Sequence, residues 1–540
     1  MGTSKKSDFL VQGSILAVAS IIVRLIGLLY RLPLTNIIGD EGMGYYSQAF
    51  SIYNIALILS SYSLPLAVSK LVATRLANKE YRNSYRIFIL SLGFAVVVGT
   101  LMSLIVFFGA DFLATVIFKT PGSAIPLKIL APTIFVFAVM GVLRGYFQGK
   151  RTMIPTSISQ ILEQIINAVV SIGAAYYFIN ERSASESMSA YGAAGGTLGT
   201  FVGASVALIF LAFIFALYKP IIDRQMKKDK HSIRESYPDL LRALGLTIVP
   251  VILSQTVYQL SGFLDGVIFS NVLYGKGIEE DIRTTLWGIY SNKYSLLITV
   301  PVAIASSMAA ATIPSIVSTK TSSSNIELKE KVHQVIKFNM LIAIPAAVGL
   351  GVLASPVIRL LFSDAAKLPA DLMRMGSVAV VFFALSTITN AILQGINNMR
   401  KPVIHSAISL GVHIILLYIL LKFLNLGVYA LVIGNVTFAL LVCILNWISV
   451  GKLLNYKQEV KKTFIIPTVC SLIMGAIAYL VYSLLNSRLP SSISTILAVI
   501  AGVLVYGVLL LLFKDVTEAE LIDMPFGRTL ARIAVKLHLL

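Results

Sequence analysis

Four cations and two acids stand inside long apolar runs of this chain. Arg24 and Arg31 lie in the run 9–35, Arg144 in 124–148, Glu163 in 153–179, Asp265 in 240–273 and Lys293 in 285–317. A charge at the centre of such a run costs about 2.5–3.5 kcal/mol on insertion scales, so it normally faces a bundle interior or a water-filled cavity. The planar guanidinium fork of an arginine matches carboxylate or phosphate. Two readings therefore stand for Arg24: it pairs with an acid elsewhere in the bundle, or it lines a cationic cavity for an anionic substrate. Arg31, about two turns later, either joins that cavity or snorkels to the interface.

The other groups can be placed the same way. Lys293 sits in Tyr290-Ser291-Asn292-Lys293-Tyr294. There it either snorkels or, with the amide of Asn292 beside it, contacts substrate. Arg144 lies near the basic pair Lys150 and Arg151 and is either a further cavity cation or an inner-edge charge. Glu163 shares a helix face with Asn167 and is a candidate counter-ion for Arg144 or Arg24. Asp265, in Gly262-Phe263-Leu264-Asp265-Gly266, is a candidate for binding a coupling cation or for pairing Lys293. His405 and His413, two turns apart, suit a proton relay or satisfied core positions, the second being the commoner use. Enzyme signatures are absent: there is no phosphate-binding Gly-x4-Gly-Lys-Ser/Thr loop, no His-Glu-x-x-His and no Cys/His cluster. Cys443 and Cys470 both lie in apolar runs, without disulfide or metal spacing. The chain is expected to be a transporter rather than an enzyme, with no cofactor or metal. Coupling to Na+, H+ or the membrane potential is left open.

What must position these groups is a bundle of membrane helices. Of 540 residues 57% are hydrophobic and 13% charged, against about 25% charged in soluble domains. The apolar runs are continuous rather than alternating, which excludes a strand barrel. About fourteen spans are expected, at roughly 9–35, 43–68, 86–112, 124–148, 153–179, 190–218, 240–273, 285–317, 334–361, 372–396, 402–424, 427–450, 463–486 and 492–513. The first is too long for a signal-peptide core and lacks a cleavage site. With both termini inside, about 30 basic residues fall in cytoplasmic segments and about ten in outer loops. That bias sets the orientation. It also accounts for the net charge of +19 without nucleic acid as a partner.

The chain repeats itself at an offset of about 244–250 residues. Leu143 to Ser159 matches Leu393 to Ser409, Gly44-Tyr45-Tyr46-Ser47 resembles Gly288-Ile289-Tyr290-Ser291, and Leu64-Pro65 to Ser69 resembles Ile313-Pro314 to Ser318. Six spans separate the copies, an even number, so the repeats run parallel. The expected organisation is two six-helix lobes around a central cavity, 1–218 and 240–451, joined by a cytoplasmic linker at 219–239. Spans thirteen and fourteen follow at 452–513, then a basic amphipathic tail at 514–540. Gly27, Pro65, Pro250, Pro301, Pro314 and Pro345 are expected to bend or loosen spans, as rocking between inward and outward states requires.

With fourteen spans in parallel lobes, Arg24-Leu25-Ile26-Gly27 in span one and Gly44-Tyr45-Tyr46 opening span two, the whole chain resembles the multidrug/oligosaccharidyl-lipid/polysaccharide exporter superfamily, and within it the polysaccharide transporter branch. The resemblance implies a bacterial plasma-membrane flippase. It would move an undecaprenyl-pyrophosphate-linked sugar, lipid II or a related polysaccharide repeat unit, from inner to outer leaflet by alternating access. Its partners would be that lipid-linked oligosaccharide, membrane lipids and cell-wall synthesis enzymes. Carried over from the branch's lipid II flippases, Arg24 fits the first cavity arginine and Lys293 the basic residue of span eight. Arg31 falls one position late and Leu32 stands where an acid would follow it. Asn292 replaces the acid beside the span-eight base, and span two has no arginine at Asn54 to Leu59. These departures fit the sporulation-type members of the branch. The rivals are a cation-coupled multidrug exporter on the same fold, which would want an acidic cavity, and a non-transporting scaffold, which would not need buried charge.

Overall fold

The computed structural model describes residues 2–181, 187–229, 234–322, 325–513 and 515. Every regular element among them is helical. The first compact unit holds α1 (Gly2–Ser60), α2 (Leu64–Ala77), α3 (Tyr81–Phe112), α4 (Ala124–Gly149), α5 (Ile154–Glu181), α6 (Met188–Lys228), α7 (Tyr237–Gly275) and α8 (Glu280–Gly288). The second holds α9 (Leu296–Ser322), α10 (Asn325–Val352), α11 (Ala354–Phe362), α12 (Lys367–Gly376), α13 (Ala379–Gly395), α14 (Arg400–Lys422), α15 (Val428–Leu454), α16 (Ile466–Asn486) and α17 (Ser491–Leu512). By length and composition ten described helices can cross a membrane, and α12 with α13, bent by 43°, makes an eleventh. The chain is a polytopic helical membrane protein. The expected tail helix after Pro525 lies outside the described residues.

Compactness divides the chain between Ile289 and Tyr290, whereas the internal repeat divides it after residue 218. The reason is local: α7 and α8 both pack on α1. The division falls inside a π-helical segment, Ile289–Ser295, that interrupts span eight. The α1–α8 crossing also carries the repeat into space. A Cβ on Gly44 would strike the Thr284 carbonyl, and one on Gly288 the Asp40 carbonyl. The pairs 40/284 and 44/288 share the same offset of 244 residues, so the contact is reciprocal between repeat-related positions.

Particular residues mark where the helices break and end. Expected spans one and two share α1, and its break is at Gly39 rather than Gly27. Gly39 adopts φ 71°, a conformation that excludes most side chains. Pro65 lies in the first turn of α2, directly after the turn at 61–63 that interrupts expected span two, and its missing N–H costs nothing there. Within the expected linker 219–239, α6 runs on to Lys228 and α7 begins at Tyr237. Its described ends are tied to the α2–α3 turn. Arg75 donates twice to the Glu235 carboxylate, at 2.8 and 2.6 Å, and the Arg82 N–H donates to Asp229 at 2.9 Å.

Close backbone approach fixes α5 in the first unit. Gly195, Gly199 and Gly203 recur every four residues on α6 and meet α5 directly. An added Cβ would sit 2.5 Å from Ala175 N at Gly195 and 2.5 Å from Glu163 O at Gly203. Small residues of this kind let membrane helices pack without a side-chain layer between them. They hold Glu163, Asn167 and Ser171 against the bundle, all three buried.

Candidate functional site

In the first unit the chemistry is carried by α1. Arg24 and Arg31 are seven residues apart, which puts them about 20° from each other around a helix of 3.6 residues per turn. Gly27 lies between them on that face, and its Cβ position is 3.7 Å from the Gln164 Oε1 of α5. Val18, Ile21, Ile22, Leu25 and Leu29 form an exposed apolar stripe suited to lipid. Arg24 is also exposed and lies at the edge of that stripe, about 60° from Ile21 around the helix. Arg31 is half-buried and anchored. Its guanidinium meets the hydroxyls of Tyr30 and Tyr46, which are 3.1 Å from each other.

Arg144 and Glu163 form a second arrangement, between α4 and α5. Arg144 Nη2 donates to Glu163 Oε2 at 2.8 Å, and Arg144 Nε donates to Ser159 Oγ at 3.0 Å. Both side chains are nearly buried, at 10% and 11% exposure. Of the two counter-ion assignments open for Glu163, the structure pairs it with Arg144.

Asp265 is 4% exposed on α7. Its neighbour Gly266 packs on Phe118 and Trp287, so the backbone there is held close to both rings.

In the second unit Lys293 lies in the π-helical segment, 4% exposed, and donates to Asp364 Oδ2 at 2.6 Å. Asp364 follows Ser363, which ends α11 in the left-handed conformation (φ 53°). Its other oxygen accepts the Ala366 N–H at 2.7 Å. Burial by itself would raise the Asp364 carboxyl; the Lys293 ammonium and the Ala366 N–H together hold it below the usual carboxylate range. Asn292 is buried and donates to Ser291 Oγ at 3.2 Å. Tyr294 is fully buried, stacks on Tyr290 with ring centroids 5.5 Å apart, and donates to Asn435 Oδ1 at 3.2 Å.

Asp364 escaped the sequence reading. It lies in the connection between α11 and α12, 71 residues after Lys293, and no helical spacing connects the two. The acid that resemblance to the lipid II flippases leads one to expect beside Lys293 is missing from the sequence at Asn292, and Asp364 supplies one through space. The one available signal was an acid directly after a short apolar helix.

The two histidines are built into packed positions. His405 Nδ1 lies 2.7 Å from Asn446 Oδ1 and Nε2 lies 3.2 Å from Ser449 Oγ. Asn446 in turn donates to Asn390 at 2.7 Å, which makes His405 Nδ1 the donor to its oxygen. His413 Nδ1 donates to the Gly434 carbonyl at 2.9 Å. Among the described residues no three His, Cys, Asp or Glu side chains gather as metal ligands.

Comparison with known proteins gives a consistent group. The family model described as "Polysaccharide biosynthesis protein" matches residues 10–320, and the MatE model matches residues 288–419. "Stage V sporulation protein B" of Bacillus subtilis (strain 168) is 25% identical over 98% of this chain and 100% of its own length. "Lipid II flippase MurJ" of the same organism is 23% identical over 93% of this chain and 94% of its own. A solved structure of lipid II flippase MurJ in an inward closed conformation superposes with a TM-score of 0.67, covering 93% of this chain and 99% of that one at 15% identity.

Proposed function

Since the chain belongs to the polysaccharide biosynthesis protein family of the multidrug/oligosaccharidyl-lipid/polysaccharide exporter superfamily, we propose that it is a flippase for an undecaprenyl-pyrophosphate-linked sugar. The cargo is lipid II or a related repeat unit, moved from the inner to the outer leaflet by alternating access of two repeat-related lobes. Similarity to a named lipid II flippase and to a sporulation protein supports this reading. It is transport and not enzymic turnover, and the membrane is the bacterial plasma membrane, with both termini cytoplasmic.

One observation carries the choice of an anionic cargo. Arg24 is exposed in a membrane-crossing helix, at the edge of the apolar stripe and toward the Gly27–Arg31 face. Lipid exposure there is costly, so the side chain faces an aqueous path. Arg24 and Arg31 are candidate headgroup contacts in the first unit, a diphosphate being the ligand a guanidinium pair recognises, and Lys293 with Asn292 are separate candidates in the second. Arg144, locked to Glu163, holds α4 to α5 instead. Asp265 is the candidate for a coupling cation. An exporter of drug cations would need acids where Arg24 and Arg31 stand.

The test is reconstitution in liposomes with labelled lipid II and a competing undecaprenyl-linked sugar, scoring leaflet exchange. Arg24→Ala should abolish exchange at normal abundance. Arg24→Lys should keep the charge yet lose most of the activity, because an ammonium cannot donate the parallel pair. Full exchange by a well-expressed Arg24→Ala protein would end the substrate-binding claim.

A further inference from the structure

Arg75 and Arg144 are each matched to a carboxylate, at 2.6 and 2.8 Å. Arg31 is held differently. Its guanidinium meets two phenol hydroxyls, those of Tyr30 and Tyr46, and among the described residues no acid pairs with it. The two hydroxyls lie 3.1 Å apart, on residues separated by 16 positions in the chain. Along an unbroken helix that separation spans about 24 Å, beyond the reach of two tyrosine side chains, so the break at Gly39 is what brings them together. Both rings are fixed. Tyr30 and Tyr46 are 6% and 1% exposed, in one apolar cluster with Leu34, Ile38 and Ala193. Tyr46 also packs on Phe50, with ring centroids 4.5 Å apart.

Counting hydrogen bonds shows what this cluster lacks. Two phenols carry two O–H protons, and one of them is used between the hydroxyls. The guanidinium is all donor and cannot accept the other. The second O–H and the remaining guanidinium N–H groups are therefore donors with no acceptor inside the cluster. Neutral phenols also leave the charge of the arginine in place, where a carboxylate would cancel it. Resting on the reading of Arg31 as a headgroup contact, we propose that Tyr30 and Tyr46 are specificity-determining residues: they orient Arg31 without neutralising it, and they donate their spare O–H to an oxygen of a diphosphate. A phosphate oxygen accepts from phenol and guanidinium together, through charge-assisted bonds. A cation meets a like charge and no acceptor, and an uncharged headgroup compensates nothing. No covalent step is involved.

The experiment uses the full chain with two probes, inorganic pyrophosphate for binding in detergent and lipid II for binding and leaflet exchange in liposomes. Tyr30→Phe and Tyr46→Phe keep each buried ring and remove one hydroxyl. Each should bind both probes about tenfold more weakly at an unchanged melting temperature, the size expected for loss of one charge-assisted hydrogen bond. The lipid II concentration for half-maximal exchange should rise by the same factor. On an Arg31→Gln background each change should cost less than about threefold, because the hydroxyls have no guanidinium left to orient. The two variants are read separately, so failure of one to fold leaves the other as the test. A loss confined to lipid II also supports the proposal and identifies the ligand as the lipid-linked diphosphate. Wild-type affinity for both probes in either folded variant, or equal losses with and without Arg31, overturns the proposal while wild-type exchange leaves the flippase reading intact. Tyrosine-dependent pyrophosphate binding by a protein that does not exchange lipid II keeps the site and overturns the flippase reading. A wild-type protein that neither exchanges lipid II nor binds either probe overturns both.

Discussion

Breaking the Arg144–Glu163 pair separates a structural cation from a substrate contact. At 2.8 Å the Coulomb attraction is about 6 kcal/mol for an effective dielectric constant of about 20. Desolvating two ions that are 10% and 11% exposed costs several kcal/mol each, so the intact pair contributes little net stability. Removing one partner is different, because the other is left charged and buried. Arg144→Met and Glu163→Met should each cost about 3–5 kcal/mol, whereas the double variant should return to within about 1–2 kcal/mol of wild type. The interaction energy of the cycle should thus exceed about 3 kcal/mol. The assay is thermal melting and abundance in detergent for both singles and the double, with lipid II exchange measured on whatever folds. The double variant should exchange at close to the wild-type rate. Two stable single variants, each inactive, would refute this reasoning and return Arg144 to the substrate path.

Three further outcomes can be checked. Gly288→Ala and Gly44→Ala place a methyl on a backbone carbonyl of the facing helix, so each should lower abundance severalfold, while Gly93→Ala and Gly411→Ala, with nothing within 4 Å, should be neutral; immunoblots of membrane fractions decide it. Asp364 has a folded pKa below its ordinary value. Its contribution to stability is therefore complete above about pH 4 and is lost as pH falls through the lower folded value; melting temperatures in that acid range should drop for wild type and stay flat for Asp364→Asn. Cysteines introduced at Glu41 and Lys228 should be labelled by an impermeant reagent from opposite sides of the membrane, and labelling of both from outside would sink the orientation.

What the sequence by itself determined was the class of molecule and its helices. Continuous apolar runs of about 20 residues dictate membrane helices because a buried backbone must satisfy its own hydrogen bonds. The charges within the apolar runs were legible for the same reason: Arg24, Arg144, Glu163, Asp265 and Lys293 stand out against their runs. So was the repeat, whose offset of 244 reappears in the reciprocal packing of Gly44 and Gly288. Pairing was not legible. A mid-span charge announces a cost but not its partner, since helix spacing relates only residues of one helix. Glu163 had two arginines to choose from, and packing gave it Arg144. Lys293 takes an acid, Asp364, from a connection that carries no periodic signal. The face of Arg24 was equally hidden, because the apolar run around it is nearly uniform, and it is the packing of α5, at Gln164, that marks the side the Gly27 face looks toward. Local hydropathy settles which segments enter the membrane; the choice of neighbours settles which of their charges remain available to a ligand.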